Sequence, residues 1–367
     1  MKYARIFNQC KLKMSKRPGD DLWPRDGNLG DCMQSLGVEN IYKKAGICAP
    51  QDLLLINRDD INKYVGESCT LFMQSWFGDY AGNFPLPWTK DITPIFIGFH
   101  LSSINDTRRK FIERKIFKSF QSFKAVGCRD RNTMKFLREL GINSYMSGCM
   151  TLTFDSRTTQ NNEQQDKIFI VDLDPKVSKR LTDGYLEKMI KEGIIDHSIT
   201  HFYYWNQYPV TEKGAHEFED YARYVLNRYR TEARLVITSK IHVAMPCIAL
   251  GVPVIFITDT PFNERFDVLS GMIPIYSYKD LRYINWNPNP VNIENLKQAI
   301  TLNVKAMFSN DEKLIKESIS HLDNEFSKLK CINPVPKLIL GFRNIGYSLD
   351  LKKIKRSLRQ KFANICI

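Results

Sequence analysis

Short apolar runs bounded by polar turns alternate with stretches of helical period along most of this chain, and that alternation restricts its fold more than any other feature. Segments 53–56, 71–73, 95–99 and 125–128 are too short and too apolar for surface helices and read as buried strands. A basic helical stretch, 108–120, lies between the last two, and a second helix, 131–140, follows them. Such a succession predicts an α/β unit built on a largely parallel sheet.

The segment 156–166 has no apolar residue and reads as a linker. Beyond it the alternation resumes with a strand at 168–171, a helix around 186–190, a strand near 199–204 and a helix from about 212 to 229. A strand at 235–237, a helix at 241–250 and a strand at 254–257 complete it. With 367 residues the chain is too long for one ordinary core. We therefore expect two doubly wound, Rossmann-like domains, 1–155 and 167–345, joined by 156–166 and facing a cleft at the carboxyl ends of their strands. A tail, 346–367, differs in kind: Leu351, Ile354, Leu358, Phe362 and Ile365 form an apolar stripe on an otherwise basic helix. That stripe suits an anionic membrane surface, and equally suits packing back across the first domain.

The net charge of +13 favours anionic partners. No zinc finger or RNP-type motif points to nucleic acid. No run reaches the roughly 18–20 apolar residues of a membrane span, and no secretory leader is evident, so a cytoplasmic protein is expected. Nine scattered cysteines without a C-x-x-C pair suggest reduced thiols, with neither a disulfide framework nor a metal site.

Three stretches carry candidate chemistry. In GNLGD, Gly27 and Gly30 let backbone approach a ligand, Asn28, Asp31 and Gln34 add polar groups, and the helix that follows offers unpaired N–H groups. Asp31 is equally suited to cap that helix. In VGCRDRNT, Arg129 stands at a strand's carboxyl end, where a guanidinium can hold carboxylate or phosphate; a surface pair with Asp130, or an Asp130 cap, is the plainer reading. The third stretch, 235–256, gathers Ser239, Lys240 and His242 where a strand meets a helix, a setting for an anion with a proton donor beside it.

Taken together, GNLGD with Gln34, GCRDRNT with Leu137, Gly141 and Ile142 behind it, and VITSKIHVAMPCIALGVPVIFI resemble the polysaccharide pyruvyl transferase family, with its N-x-GD, RD-x-x-T and T-x-R-x-H blocks in this order. The resemblance spans roughly residues 27–257. It implies a GT-B-like fold, with the first domain on the acceptor side and the second on the donor side. It also implies transfer of pyruvate from phosphoenolpyruvate, as a ketal, to a sugar of a surface polysaccharide or its lipid-linked precursor. No cofactor is implied beyond the donor substrate, and the setting would be cytoplasmic or peripheral at the inner face of the plasma membrane. Arg129, Lys240, Ile241 and His242 fall at the family's phosphoenolpyruvate positions, and His242 would donate or relay the proton. Lys240 stands where the family usually has arginine and would hold an anion only as a point charge. Arg265, and His201 with the aromatics after it, are secondary donor-side and cleft candidates, while Trp76 and Phe77 raise the acceptor side. A nucleotide-sugar glycosyltransferase and a non-catalytic, membrane-associated anion-binding protein remain alternatives.

Overall fold

A computed structural model describes residues 2–7, 13–14, 24–78, 84–104, 106–157, 165–181, 186, 194–199, 202–204, 212–261, 263–331 and 334–335. The opening residues, Lys2–Phe7, form a central strand flanked in parallel by Leu54–Asn57 and Cys69–Phe72, with Ile92–Ile95 beyond the latter. A second parallel patch runs in the order Ser144–Met146, Val126–Cys128, Phe99–Leu101, Ser75–Phe77.

The two patches are one layer in the chain's path. Residues 73–74 separate Cys69–Phe72 from Ser75–Phe77, and 96–98 separate Ile92–Ile95 from Phe99–Leu101. Cys69 faces Ile92 before the break and Ser75 faces Phe99 after it, so the second strand carries one extra residue, as at a β-bulge. Gly98 turns there at φ 70, and its N–H donates to Ser147 Oγ at 2.8 Å. Gln74 ties the break to its surroundings, donating to the Gln34 carbonyl at 3.1 Å and accepting from the Met150 N–H at 2.8 Å.

Across this layer the strands run second, first, third, fourth, fifth, sixth in chain order. The other half repeats the plan with Ile194–Asp196, Lys167–Val171, Ala233–Thr238, Val254–Thr258 and Ile275–Ser277, all parallel and again second, first, third, fourth, fifth. Two doubly wound sheets therefore present their carboxyl ends as ligand-binding edges.

The strand expected near 199–204 divides. Ile194–Asp196 takes the place in the parallel sheet, whereas Phe202–Tyr204 pairs antiparallel with Pro24–Asn28, Phe202 opposite Asn28. The basic helix expected at 108–120 is broken into Thr107–Glu113 and Phe117–Phe120, because Lys115 at φ 55 redirects Ile116 and Phe120 into the core.

Helix Leu29–Ala45 ends on Gly46 in the left-handed region, and helix Ile241–Leu250 ends likewise on Gly251. Every residue of the latter is buried, as befits a helix apolar nearly all round. Late in the chain, Glu294–Ser309 and Glu312–Lys328 return to the first sheet: Phe308 packs among Tyr3, Tyr42 and Phe72, and Tyr145 Oη donates to Asn303 Oδ1 at 2.8 Å. Residues 346–367, most of the polar segment 156–166 and nearly all of the helix expected at 186–190 lie outside the described residues. Among the described residues, no helix is long and apolar enough to cross a membrane.

Candidate functional site

The first block folds differently from its simplest reading. Asn28, not Asp31, caps helix Leu29–Ala45, its carboxamide oxygen accepting the Gly30 N–H at 2.9 Å. Asn28 already sits in an extended strand, the backbone an N-cap needs, whereas Asp31 lies inside the first turn. Gly27 is paired opposite Tyr203 in the antiparallel strand. Asp31 is thereby released to face inward, where Gln34 Nε2 donates to it at 3.1 Å and Arg58 Nη1 stands 3.7 Å away. Burial raises its pKa against the opposing charges of Arg58, Arg129 and Arg265. A Cβ at Gly30 would lie 2.9 Å from both Cβ and Nδ1 of His242, so the bare position admits this imidazole.

In the second block, Arg129 extends from the end of strand Val126–Cys128 and is completely buried. Its Nη1 donates to Gln34 Oε1 at 3.1 Å and lies 3.5 Å from His242 Nε2. Its Nε and Nη2 are buried without a hydrogen-bond partner among the described residues. A surface pair with Asp130 is ruled out, because both residues are completely buried. Asp130 caps helix Arg131–Glu139 by accepting the Thr133 N–H at 2.8 Å, and takes a hydrogen bond from His100 Nδ1 at 2.5 Å. Burial and then the Arg129 charge push the His100 pKa down to about 4, against the pull of Asp130. Asp130 stays ionised, because its bond to His100 and its neighbouring charges outweigh its own burial. His100 is thus neutral, with its proton on Nδ1.

The third block splits. His242, in the first turn of Ile241–Leu250, faces Gly30 and Arg129 and is only 7% exposed. Ser239 and Lys240 are bound to Asp174 instead. Ser239 Oγ accepts the Asp174 N–H at 2.9 Å and donates to the Ile257 carbonyl at 2.5 Å, while Lys240 Nζ sits 3.1 Å from Asp174 Oδ1. Asp174 also accepts from Thr258 Oγ1 and the Asp259 N–H. This second cluster closes the carboxyl edge of the second sheet. Ile241 is buried in the core.

Arg265, on the 3₁₀ turn Glu264–Leu269, is no ordinary surface residue. Its Nε is buried without a hydrogen-bond partner among the described residues, and its pKa is lowered by burial and by Arg129. His201 lies outside the described residues. Two residues that sequence reasoning did not single out join the cluster. Arg58 follows strand Leu54–Asn57 as Arg129 follows its own strand, and that shared placement was the signal available. His100 is the one polar side chain within the apolar run Phe99–Leu101. Trp76, with its ring centroid 5.7 Å from the Arg58 guanidinium, completes the rim.

Three guanidiniums thus converge on one inward carboxylate, with neutral His100 on ionised Asp130, and His242, beside them. The excess positive charge, taken out of bulk water, is arranged for an anion. Residues 28–260, well over half of the chain, match the family described as polysaccharide pyruvyl transferase. The chain belongs to that family. Arg58, His100, Arg129 and His242 lie within the matched span, and Arg265 lies just beyond it. No curated protein matches the chain. Among solved structures, an uncharacterised protein from Klebsiella pneumoniae subsp. pneumoniae is similar at 14% identity, covering 72% of this chain and 87% of its own, with a TM-score of 0.37. A likeness that slight carries no argument here.

Proposed function

We propose that this member of the polysaccharide pyruvyl transferase family moves a pyruvyl group from phosphoenolpyruvate to paired hydroxyls of a sugar, forming a ketal on a surface polysaccharide or its lipid-linked precursor. One observation carries the reading: Arg129 is completely buried with two of its nitrogens lacking an acceptor. Each unmet buried donor costs about 1–3 kcal/mol, so the fold holds a position whose cost an anionic ligand would relieve. Arg265 adds a third unmet guanidinium nitrogen. Phosphoenolpyruvate offers a carboxylate and a phosphate, two anions for two arginines.

To His242, 3.5 Å from Arg129 Nη1, we assign the protonation of the donor's methylene carbon. With Nη1 of Arg129 donating toward it, Nε2 is an acceptor; once an anion takes the Arg129 donors, that nitrogen is released to carry a proton to the same ligand. Lys240, engaged by Asp174, is better placed to fix the start of the His242 helix than to hold the donor. The two sheets with their carboxyl edges at a shared site support a GT-B-like arrangement, the first half taking the acceptor.

Ligand-induced thermal stabilisation tests this. Phosphoenolpyruvate at 100 times its Kd should stabilise the wild type by about 2.7 kcal/mol and leave Arg129→Met unshifted. A shift with a nucleotide sugar and none with phosphoenolpyruvate would overturn the donor assignment.

A further inference from the structure

The acceptor hydroxyl must lose a proton as it attacks, and His242 is committed to the donor. The first sheet supplies another group. Trp76 faces His100 across adjacent parallel strands, and Phe99 faces Cys128 on the next, with the Arg129 N–H donating to the Phe99 carbonyl at 2.8 Å. Trp76, His100 and Arg129 therefore stand side by side at the carboxyl ends of three neighbouring strands. The row leads from the anion-holding arginine to an indole that can stack on a sugar ring.

His100 is oriented as a base must be. Nδ1–H is held by Asp130, with Thr133 Oγ1 3.3 Å away, and Nε2 has no hydrogen-bond partner among the described residues. This is the base-and-orienter pairing that fixes one tautomer and leaves the other nitrogen's lone pair free. We propose that His100, oriented by Asp130, takes the proton from the attacking sugar hydroxyl. The proposal rests on the pyruvyl-transfer reading and assigns the second proton transfer within it.

The step balances. The hydroxyl proton passes to Nε2 as the oxygen's electron pair forms the bond to C2 of the donor, whose methylene carbon has gained a proton from His242. The C2–O bond to phosphate then breaks with its electrons on phosphate, and a second hydroxyl closes the ketal, losing its own proton. Of the two hydroxyl protons, one matches that gained by carbon and the other leaves with phosphate.

The charged groups around His100 couple this base to the donor. Asp130 lies on one side, and Arg129 and Arg265 act from the neighbouring strand and the 3₁₀ turn to disfavour its protonation. An anion bound to those arginines offsets their charge, so His100 becomes more basic once the donor is in place.

His100→Asn keeps a donor for Asp130 but removes Nε2. Asp130→Asn keeps the helix cap but removes the charge that fixes the tautomer. Phosphate release from phosphoenolpyruvate would be followed with the methyl glycosides of glucose, galactose and mannose. Both variants should bind phosphoenolpyruvate as the wild type does and release phosphate about 10²–10⁴-fold more slowly, with the acid limb of the kcat/KM profile gone in His100→Asn. Independently of any acceptor, ¹⁵N imidazole spectra should show His100 neutral and Nδ1-protonated at pH 7, with its titration midpoint raised by phosphoenolpyruvate. Turnover retained within about threefold in His100→Asn, an Nε2-protonated tautomer, or a midpoint unmoved by bound donor would overturn the proposal. Loss of donor binding in His100→Asn would reduce His100 to a structural partner of Asp130. Failure of the wild type itself to bind phosphoenolpyruvate would instead strike the donor reading on which this rests.

Discussion

Gly30 shows how one residue can be recognised in a sequence while the group packed against it stays hidden. Its bareness is visible in GNLGD, but the group that needs the space, His242, is 212 positions away and enters only when the two helix starts abut. The same block conceals which of Asn28 and Asp31 caps the helix, because both residue types do so and only the strand preceding Asn28 decides. Gly30→Val should leave the far-ultraviolet spectrum unchanged while cutting turnover by at least about tenfold, since His242 must yield at a 2.9 Å approach. Wild-type turnover in that variant would show that the imidazole has room to spare. His100 gives a second prediction at this scale. Its folded pKa of about 4 lies below the ordinary 6.5, so its contribution to stability is complete above about pH 6.5 and is lost as pH falls towards 4. Denaturant titrations at several pH values should show the wild-type advantage over His100→Asn shrinking across that window.

At the scale of elements, most strands were legible because strands buried in a parallel sheet are nearly continuous apolar runs. Their interruptions were not. Nothing in LFMQSWF marks residues 73–74 as a break; the break is made by Gln74 bonding to Gln34 and Met150, partners from elsewhere in the chain. Likewise the basic helix reads as continuous until the core claims Ile116 and Phe120. Gln74→Leu leaves the Met150 N–H without its acceptor and removes the bond to the Gln34 carbonyl. A loss of about 1–3 kcal/mol in unfolding free energy is expected. Because Gln34 also receives Arg129, weaker phosphoenolpyruvate binding should accompany that loss; an unchanged Kd would separate the bulge from the site.

Across the whole molecule, the seam between the halves is held by contacts no local pattern reveals. Arg5 makes paired bonds to Glu219 at 2.6 and 2.7 Å, approaches Glu39 at 3.3 Å and bonds to Ser35, while Glu39 also accepts from Arg223. Burial pushes the Glu219 carboxyl up, but Arg5 outweighs it and holds the pKa below its ordinary value. Arg5→Met strands the buried Glu219 carboxylate, Glu39 keeping Arg223, and should cost about 3–5 kcal/mol by chemical denaturation. Recovery of much of that loss in Arg5→Met with Glu219→Leu would identify the stranded charge as the cause. Elsewhere on the seam, Asp267 receives the Arg131 N–H, and burial raises its pKa to about 6. For a carboxyl raised in the fold, the favourable contribution is present below about pH 4 and disappears as pH rises through 6. Asp267→Asn should therefore gain stability relative to the wild type across that interval and hold the gain above it; a difference flat with pH would contradict the shift.

The meeting of Gly30 with His242 has a consequence for how such a protein fails. On the proposed chemistry, the anion-holding Arg129 and the carboxylate of Asp31 belong to one half of the chain, and the proton carrier His242 to the other. Neither half is reactive by itself, so a chain that is cleaved, partly unfolded or still being synthesised cannot squander its energy-rich donor on water. Competence for the reaction is conferred only by the finished assembly of both halves.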